Sequence, residues 1–248
     1  MAQRNQEKKQ QESQMEYDPS RYDRPSVTVD VAMLSLVERE LRVLVVQRLE
    51  EPHKGAWGLP GGFIGMDESL ERAAERVLNE KTGLTGMYLE QLYTFGEPHR
   101  DERTRVISVA YYALVDWSRI ESLDTGENSI IAKISVPWEG ETGGAVDLIA
   151  QGTALEVAFD HQDIIGMAVK RIRGKLDYVP IGFQLLPSRF TLRQLQEVHE
   201  TVLDRPLNKD SFRRRMLASG LLETTGEREE DVEHRPAALY RFVRRSAI

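Results

Sequence analysis

Val27, Val29 and Val31 alternate with Thr28 and Asp30, and a second apolar run over 41–46 follows a polar turn at 38–40. A period of two marks a strand with one face turned to a core, so this stretch predicts a hairpin entering a sheet. The period then changes. Leu70, Ala73, Ala74, Val77 and Leu78 recur at helical spacing over 69–82, with Ser69 placed to cap the start and Gly83 the end. Strand-like runs return at 88–95, 106–115 and 130–136. Residues 137–161 are rich in glycine and short of periodicity until 155–159, a long insertion at that point. A further helix is expected from Asp160, its cap, past Ile172, with Ile164, Ile165, Ala168, Val169 and Ile172 on one face. His161 falls in its first turn, where a local polar contact is expected rather than metal ligation.

The last quarter carries its own punctuation. Thr191 and Gln194 form a capping-box pair ahead of Leu192, Leu195, Val198 and Val202. Pro206 stops that helix, and Asn208 can cap a second one anchored by Phe212, Met216 and Leu217 and closed by Gly220. Two helices joined by a tight turn, then strand-like runs at 221–225 and 238–243, give the order of a winged helix-turn-helix. These breaks divide the chain into an arm at 1–25, poor in aliphatics and expected to be disordered, a domain at 26–180 and a domain at 181–248.

Composition narrows the classes. The 248 residues suffice for two modest domains, no apolar run approaches the length of a membrane helix, and the first residues lack the apolar core of a signal peptide. A cytoplasmic protein without membrane partners is expected. With no cysteine there is no disulfide, thiolate metal site or cysteine nucleophile, and five scattered histidines suggest no histidine metal site. The net charge of −7 is unevenly spread: residues 181–248 hold 12 Lys and Arg against 10 Asp and Glu, leaving 21 against 30 before them. The C-terminal part is thus +2 and the remainder −9, a change of sign that suggests separate partners.

The segment GGFIGMDESLERAAERVLNEKTGL resembles the Nudix box, G-x5-E-x7-R-E-U-x-E-E-x-G-U with U aliphatic. Gly62, Glu68, Arg76, Leu78, Glu80, Gly83 and Leu84 fall at their places, behind the turn LPGG. Val77 and Lys81 stand where the family has glutamate. The family's three carboxylates share one helix face and hold divalent cations that bridge diphosphate oxygens and lower the pKa of the attacking water. Here the triplet is Val77, Glu80, Lys81, formally neutral instead of −3, and a lone carboxylate beside an ammonium is a poor Mg²⁺ site. No catalytic residue and no required cofactor is therefore expected. Arg48, Glu80 and Lys81 are the candidate ligand-binding residues, with Lys81 and Arg48 supplying the charge that Mg²⁺ would otherwise give a diphosphate. The alternative is a Mg²⁺-dependent hydrolase of a nucleoside diphosphate derivative such as ADP-ribose. It would use Glu80 as a metal ligand with Glu68, Glu71 or Glu75.

Lys209, Arg213, Arg214 and Arg215 spread around the second helix of the C-terminal module, where at least two must face away from its apolar anchors. Such cations suit DNA phosphates and the guanine edge in the major groove. Glu227, Glu229, Glu230, Asp231 and Glu233 crowd the wing tip and would repel phosphates, so the helix is expected to carry most of the contact. Arg235, Arg241, Arg244 or Arg245 would assist.

A degenerate Nudix domain followed by a winged helix resembles the Nudix-related regulators of NAD metabolism, the NrtR group, and their sugar-responsive relatives. The resemblance runs from about Val27 to Val243 through SVTVDVAMLSL, GAWGLPGGFI, ERVLNEKTGL, AFDHQDII, KLDYVPIGFQLLPSRFTLRQLQEVHE, LNKDSFRRRML and RPAALYRF. It implies an α/β/α Nudix sandwich joined to a winged helix-turn-helix. It also implies a homodimeric repressor that senses ADP-ribose or a related nucleotide and grips a palindromic double-stranded DNA operator.

Overall fold

The computed structural model describes residues 19–121, 126–176, 178–230 and 235–243. Most of the N-terminal arm, and Asp231, Glu233, Arg244 and Arg245, lie outside the described residues.

The hairpin at the start is β1 (Ser26–Val37) and β2 (Glu40–Gln47). Their turn takes left-handed backbone at Glu38 and Arg39, at φ 51° and 60°, the twist that lets two antiparallel strands close on two residues. Beyond it lie β3 (Trp57–Gly58), β4 (Gly61–Phe63), the box helix α1 (Leu70–Thr82), β5 (Tyr88–Phe95), β6 (Val106–Leu114) and β7 (Ser129–Ser135). The sheet runs β5-β6-β1-β2-β7 and continues into β8 (Asp147–Ala150) and β9 (Thr153–Ala154), while β3 pairs with β2 and β4 with β1. The two short outer strands order a stretch that the sequence shows only as glycine-rich and short of periodicity. Leu148 is fully buried and Ile149 faces Lys133 across the ladder, so sheet pairing orders a stretch whose own pattern is too brief to read.

β1 shows why helices are needed on both faces. Val29, Val31 and Met33 pack with Ala73, Ala74, Val77 and Leu78 of α1, while Ala32 and Leu34 point into the opposite core, as the period of two requires. The second face is covered by α2 (His161–Lys175), whose Ile164, Ile165, Ala168, Val169 and Ile172 are all fully buried. The result is the α/β/α sandwich. Asp160 stands at the N-cap position but makes no cap hydrogen bond, contrary to expectation, because its carboxylate is taken by Arg100.

A short 3-10 turn, Pro180–Leu185, leads to α3 (Leu192–Leu203), α4 (Lys209–Ala218) and the wing strands β10 (Leu222–Arg228) and β11 (Ala238–Phe242). The two modules share one core: Leu195, Val198, Val202 and Phe212 belong to the same apolar cluster as α2 and the sheet. Phe183 stacks on Phe242 of the wing at 4.4 Å. No described helix is long and apolar enough to cross a membrane.

Both bonds of the capping box are made. The Gln194 N–H donates to Thr191 Oγ1 at 3.1 Å and the Thr191 N–H to Gln194 Oε1 at 2.8 Å. Thr191→Ala removes the first and is expected to lower stability in urea unfolding by about 1 kcal/mol, with Thr191→Ser restoring most of it.

Candidate functional site

β1 changes partner along its length. Thr28–Asp30 pair with β4, and Leu34–Val37 pair with β2. Between these ladders the sheet opens into a cleft of about 440 Å³, bounded by Arg48, Phe63, Arg100, Arg103, Phe159 and His161 among others. Its floor is a buried ionic cluster. Arg100, with its side chain 5% exposed, donates to both oxygens of Asp160 at 2.6 and 2.9 Å and lies 3.5 Å from Asp30. Burial opposes its charge, and these carboxylates outweigh burial, leaving its pKa raised. Asp30 also accepts from Ser108 Oγ at 2.5 Å. Gly61 must be glycine here, since a Cβ would lie 2.2 Å from Asp30 Oδ1.

His161 makes a long-range contact and not the local one expected of it. Its Nδ1 accepts the Leu59 N–H at 2.8 Å, which ties α2 to the turn before β4. Burial holds the imidazole below its ordinary range, so the ring is neutral with its proton on Nε2, 3.7 Å from Asp30 Oδ1.

Arg48 is different from the other cleft arginines. Arg100 is neutralised by Asp160, and Arg103 by Asp101 at 2.7 Å. Arg48 donates only to the Pro52 carbonyl at 2.7 Å and lies over the Phe159 ring at 4.6 Å, with no carboxylate partner among the described residues. Burial, and then the charge of Arg103, push its pKa below the usual arginine value. The chemistry of such a guanidinium suits an anion.

The box residues divide between bracing and surface. Arg76 donates to both oxygens of Glu68, at 2.7 and 2.9 Å, and to the Phe63 carbonyl at 3.1 Å. This pins the loop between β4 and α1. Gly83 ends α1 in left-handed backbone at φ 66°. Gly62 lies over Val77, whose Cγ2 would be 3.5 Å from a Cβ there, and Val77 is 2% exposed. An apolar side chain thus fills the place of a family carboxylate. Glu80 is exposed and reaches Arg76 at 3.4 Å; Lys81 is exposed, and neither is among the residues lining the cleft. Among the described residues no group of three His, Asp or Glu side chains is arranged to hold a metal ion. The donor set at 77, 80 and 81 does not fit one, and Glu68, proposed for the hydrolase alternative, is occupied by Arg76 and the Gly65 N–H.

In the winged helix, Lys209, Arg213, Arg214 and Arg215 are all exposed, while Phe212 and Met216 are buried. Arg215 also lies 5.6 Å from the Phe212 ring. Arg235 is exposed, whereas the guanidinium of Arg241 is bound to Glu223 across the wing. Glu227 pairs with Arg189 at 2.6 Å, and Glu229 accepts the Ala237 N–H, so part of the acidic wing is internally neutralised.

Sequence reasoning names Arg48 and the basic helix as candidates and does not reach the ionic floor. Asp30 is legible only as a polar position in the β1 alternation; its partners, 70 and more residues away, leave no signal.

Hydrogen bonds from Arg76 hold the Glu68 carboxyl at about 2, against an ordinary 4.5. The brace therefore contributes fully above about pH 4.5 and is lost as the pH falls toward 2. The stability difference between the parent chain and Glu68→Gln is expected to shrink between about pH 5 and pH 2.5 in acid-dependent urea melts.

The NUDIX domain family matches residues 27–139, and the NrtR DNA-binding winged helix domain family matches residues 182–242. The chain is 36% identical over 231 residues to an ADPR responsive transcriptional repressor of Acinetobacter baylyi, covering 92% of this chain and 86% of that one. It is 28% identical over 144 residues to an ADP-ribose pyrophosphatase of Methanocaldococcus jannaschii, covering 58% of this chain and 73% of the relative. Its fold superposes on the crystal structure of Shewanella oneidensis NrtR complexed with a 27mer DNA, with a TM-score of 0.73, 35% identity and coverage of 88% and 93% of the two chains. With a Nudix sandwich and a winged helix in one core, and a full-length relative at this identity, the chain belongs to the NrtR family.

Proposed function

We propose that this chain is a DNA-binding transcriptional repressor, acting in NAD metabolism as a homodimer, whose Nudix cleft binds ADP-ribose or a related nucleoside diphosphate without needing a metal. One observation carries the reading. Among the described residues, the chain holds a cleft whose Arg48 has no carboxylate partner and where no carboxylates are grouped to hold a metal ion, and a helix-turn-helix whose second helix exposes four cations. The Acinetobacter relative is ADPR responsive and a repressor, and the Shewanella relative was crystallised with DNA, which supports both halves.

In the cleft, Arg48 meets the diphosphate. Its planar fork takes two phosphate oxygens at once, supplying charge that a divalent cation supplies in a hydrolase. Phe63, more than half exposed at the cleft edge, and Phe159 offer apolar faces to the rest of the ligand. Lys81, farther along α1, adds positive charge without direct contact. With Val77 packed beneath Gly62, the water-activating site is incomplete, so binding takes the place of turnover. In a symmetric dimer two copies of α4 would enter successive major grooves of a palindromic operator.

Calorimetry with ADP-ribose in excess EDTA is expected to give a binding isotherm that Arg48→Ala weakens at least about tenfold. Affinity that vanishes with the metal, together with Mg²⁺-dependent release of AMP abolished by Glu80→Gln, would establish the hydrolase instead. Gel shifts on the chain's own upstream region are expected to weaken with Arg214→Ala or Arg215→Ala by about 1 to 3 kcal/mol and to fall steeply with salt. Unchanged affinity in both variants would move the DNA contact off α4.

A further inference from the structure

The two family matches leave residues 140–181 to neither domain, and this unclaimed stretch contains the helix that touches both sites. At its first turn, α2 is fixed in the cleft by Asp160 to Arg100 and by His161 to the Leu59 N–H. Fifteen residues of helix span about 21 Å. At its far end, Arg173 reaches the winged helix: its Nε donates to the carbonyl of Val202, in the last turn of α3, at 2.8 Å.

Arg173 is 4% exposed, and its charge is satisfied by carbonyls. Besides Val202 it donates to the Gly140 carbonyl at 2.9 Å, and it lies 4.9 Å over the Trp138 ring. Trp138 closes the same loop by donating from Nε1 to the carbonyls of Gly144 and Ala145. One face of α2 is shaped to receive this loop. A Cβ on Gly166 would meet the Gly144 oxygen at 1.9 Å, one on Gly174 would meet Glu141 at 2.9 Å, and Lys170 between them donates to the Thr142 carbonyl at 3.2 Å. Positions 166, 170 and 174 are one helical stripe. The loop at 138–145 is a collar fastened along α2.

The end of α3 that Arg173 holds is also the start of the turn into α4. Glu200, two residues before Val202, accepts the Leu207 N–H at 2.9 Å and pairs with Arg39 of the β1–β2 turn at 3.0 Å. Arg173 of α2 and Arg39 of the Nudix hairpin therefore both grip the helix-turn-helix at its hinge.

We infer that α2, held by the 138–145 collar, is the rod through which the cleft controls the recognition helix, with Arg173 as the positioning residue at its output end. The inference rests on the reading of the cleft as an effector site. A ligand that engages Arg48 beside the Arg100–Asp160–His161 anchor acts on the rod's first turn. It shifts DNA affinity to the extent that its contacts differ between two settings of that rod. A rigid helix locked to a loop has few such settings, which makes its transmission discrete.

The test separates coupling from binding. Operator Kd, with and without saturating ADP-ribose, and ADP-ribose Kd by calorimetry are measured for the full chain and for Arg173→Met, Gly166→Ala and the milder Trp138→Phe, which removes the indole N–H and the five-membered ring but keeps an aromatic face beside Arg173. In each folded variant the ligand-free operator affinity and the ADP-ribose affinity are expected to stay within about threefold of the parent. The ratio of the two operator Kd values is expected to fall at least about tenfold toward one. If Arg173→Met and Gly166→Ala fail to fold, Trp138→Phe decides alone. A parental ratio in the folded variants overturns the inference, as does loss of either affinity by itself, which would make the collar part of a binding surface. A ratio of one in the parent chain overturns the effector reading on which the inference stands.

Discussion

Arg100 carries a full charge on a side chain only 5% exposed, and a guanidinium so buried persists only with its hydrogens and its charge both satisfied. Asp160 and Asp30 provide that. These two come from the start of α2 and the middle of β1, and Arg100 from the loop between β5 and β6. One ion cluster thus fixes the helix, the central strand and the cleft wall in a single arrangement. The His161 bond to Leu59 adds the turn that leads into β4 and the box. Removing one partner leaves a stranded charge, which is far worse than removing both. The base of the cleft is thus held by ion pairs, while Arg48, with no carboxylate partner among the described residues, lies where the sheet opens.

The same economy of charge holds at the other module. Arg173 gives its hydrogen bonds to backbone oxygens of Val202, Gly140 and Trp138, and Glu200 is saturated by Gln196, Leu207 and Arg39. These contacts, together with the shared apolar core, join the domains by more than a tether. The orientation of the exposed cations of α4 is then set by packing against the sheet and α2, which a flexible linker would not provide.

Legibility in the sequence followed the distance over which each interaction acts. Ser69, Gly83, Thr191, Gln194 and Asn208 cap as expected because capping joins residues a few positions apart. Val77 could be placed in an apolar stripe by periodicity alone. Asp160 could not be placed: its cap role was a local expectation, and a partner 60 residues away outbid the neighbouring N–H groups. β8 and β9 were invisible for the same reason, since four- and two-residue strands are defined by their neighbours in the ladder rather than by their own alternation. Within the candidate site, Arg48 was recognisable as a cation near the box, but the features that set it apart from Arg100 and Arg103 are the carboxylates it lacks.

Val77, packed beneath Gly62, has a consequence for time as well as for chemistry. An enzyme that destroys its ligand reports a balance between supply and turnover, and its occupancy decays at the rate of the reaction. A cleft that leaves its ligand intact follows concentration reversibly, and the only clock it keeps is dissociation. Each bound molecule can be read, released and read again without drawing down the pool it measures. On the function we propose, one valine beneath a glycine makes this site a gauge of its metabolite and not a drain on it.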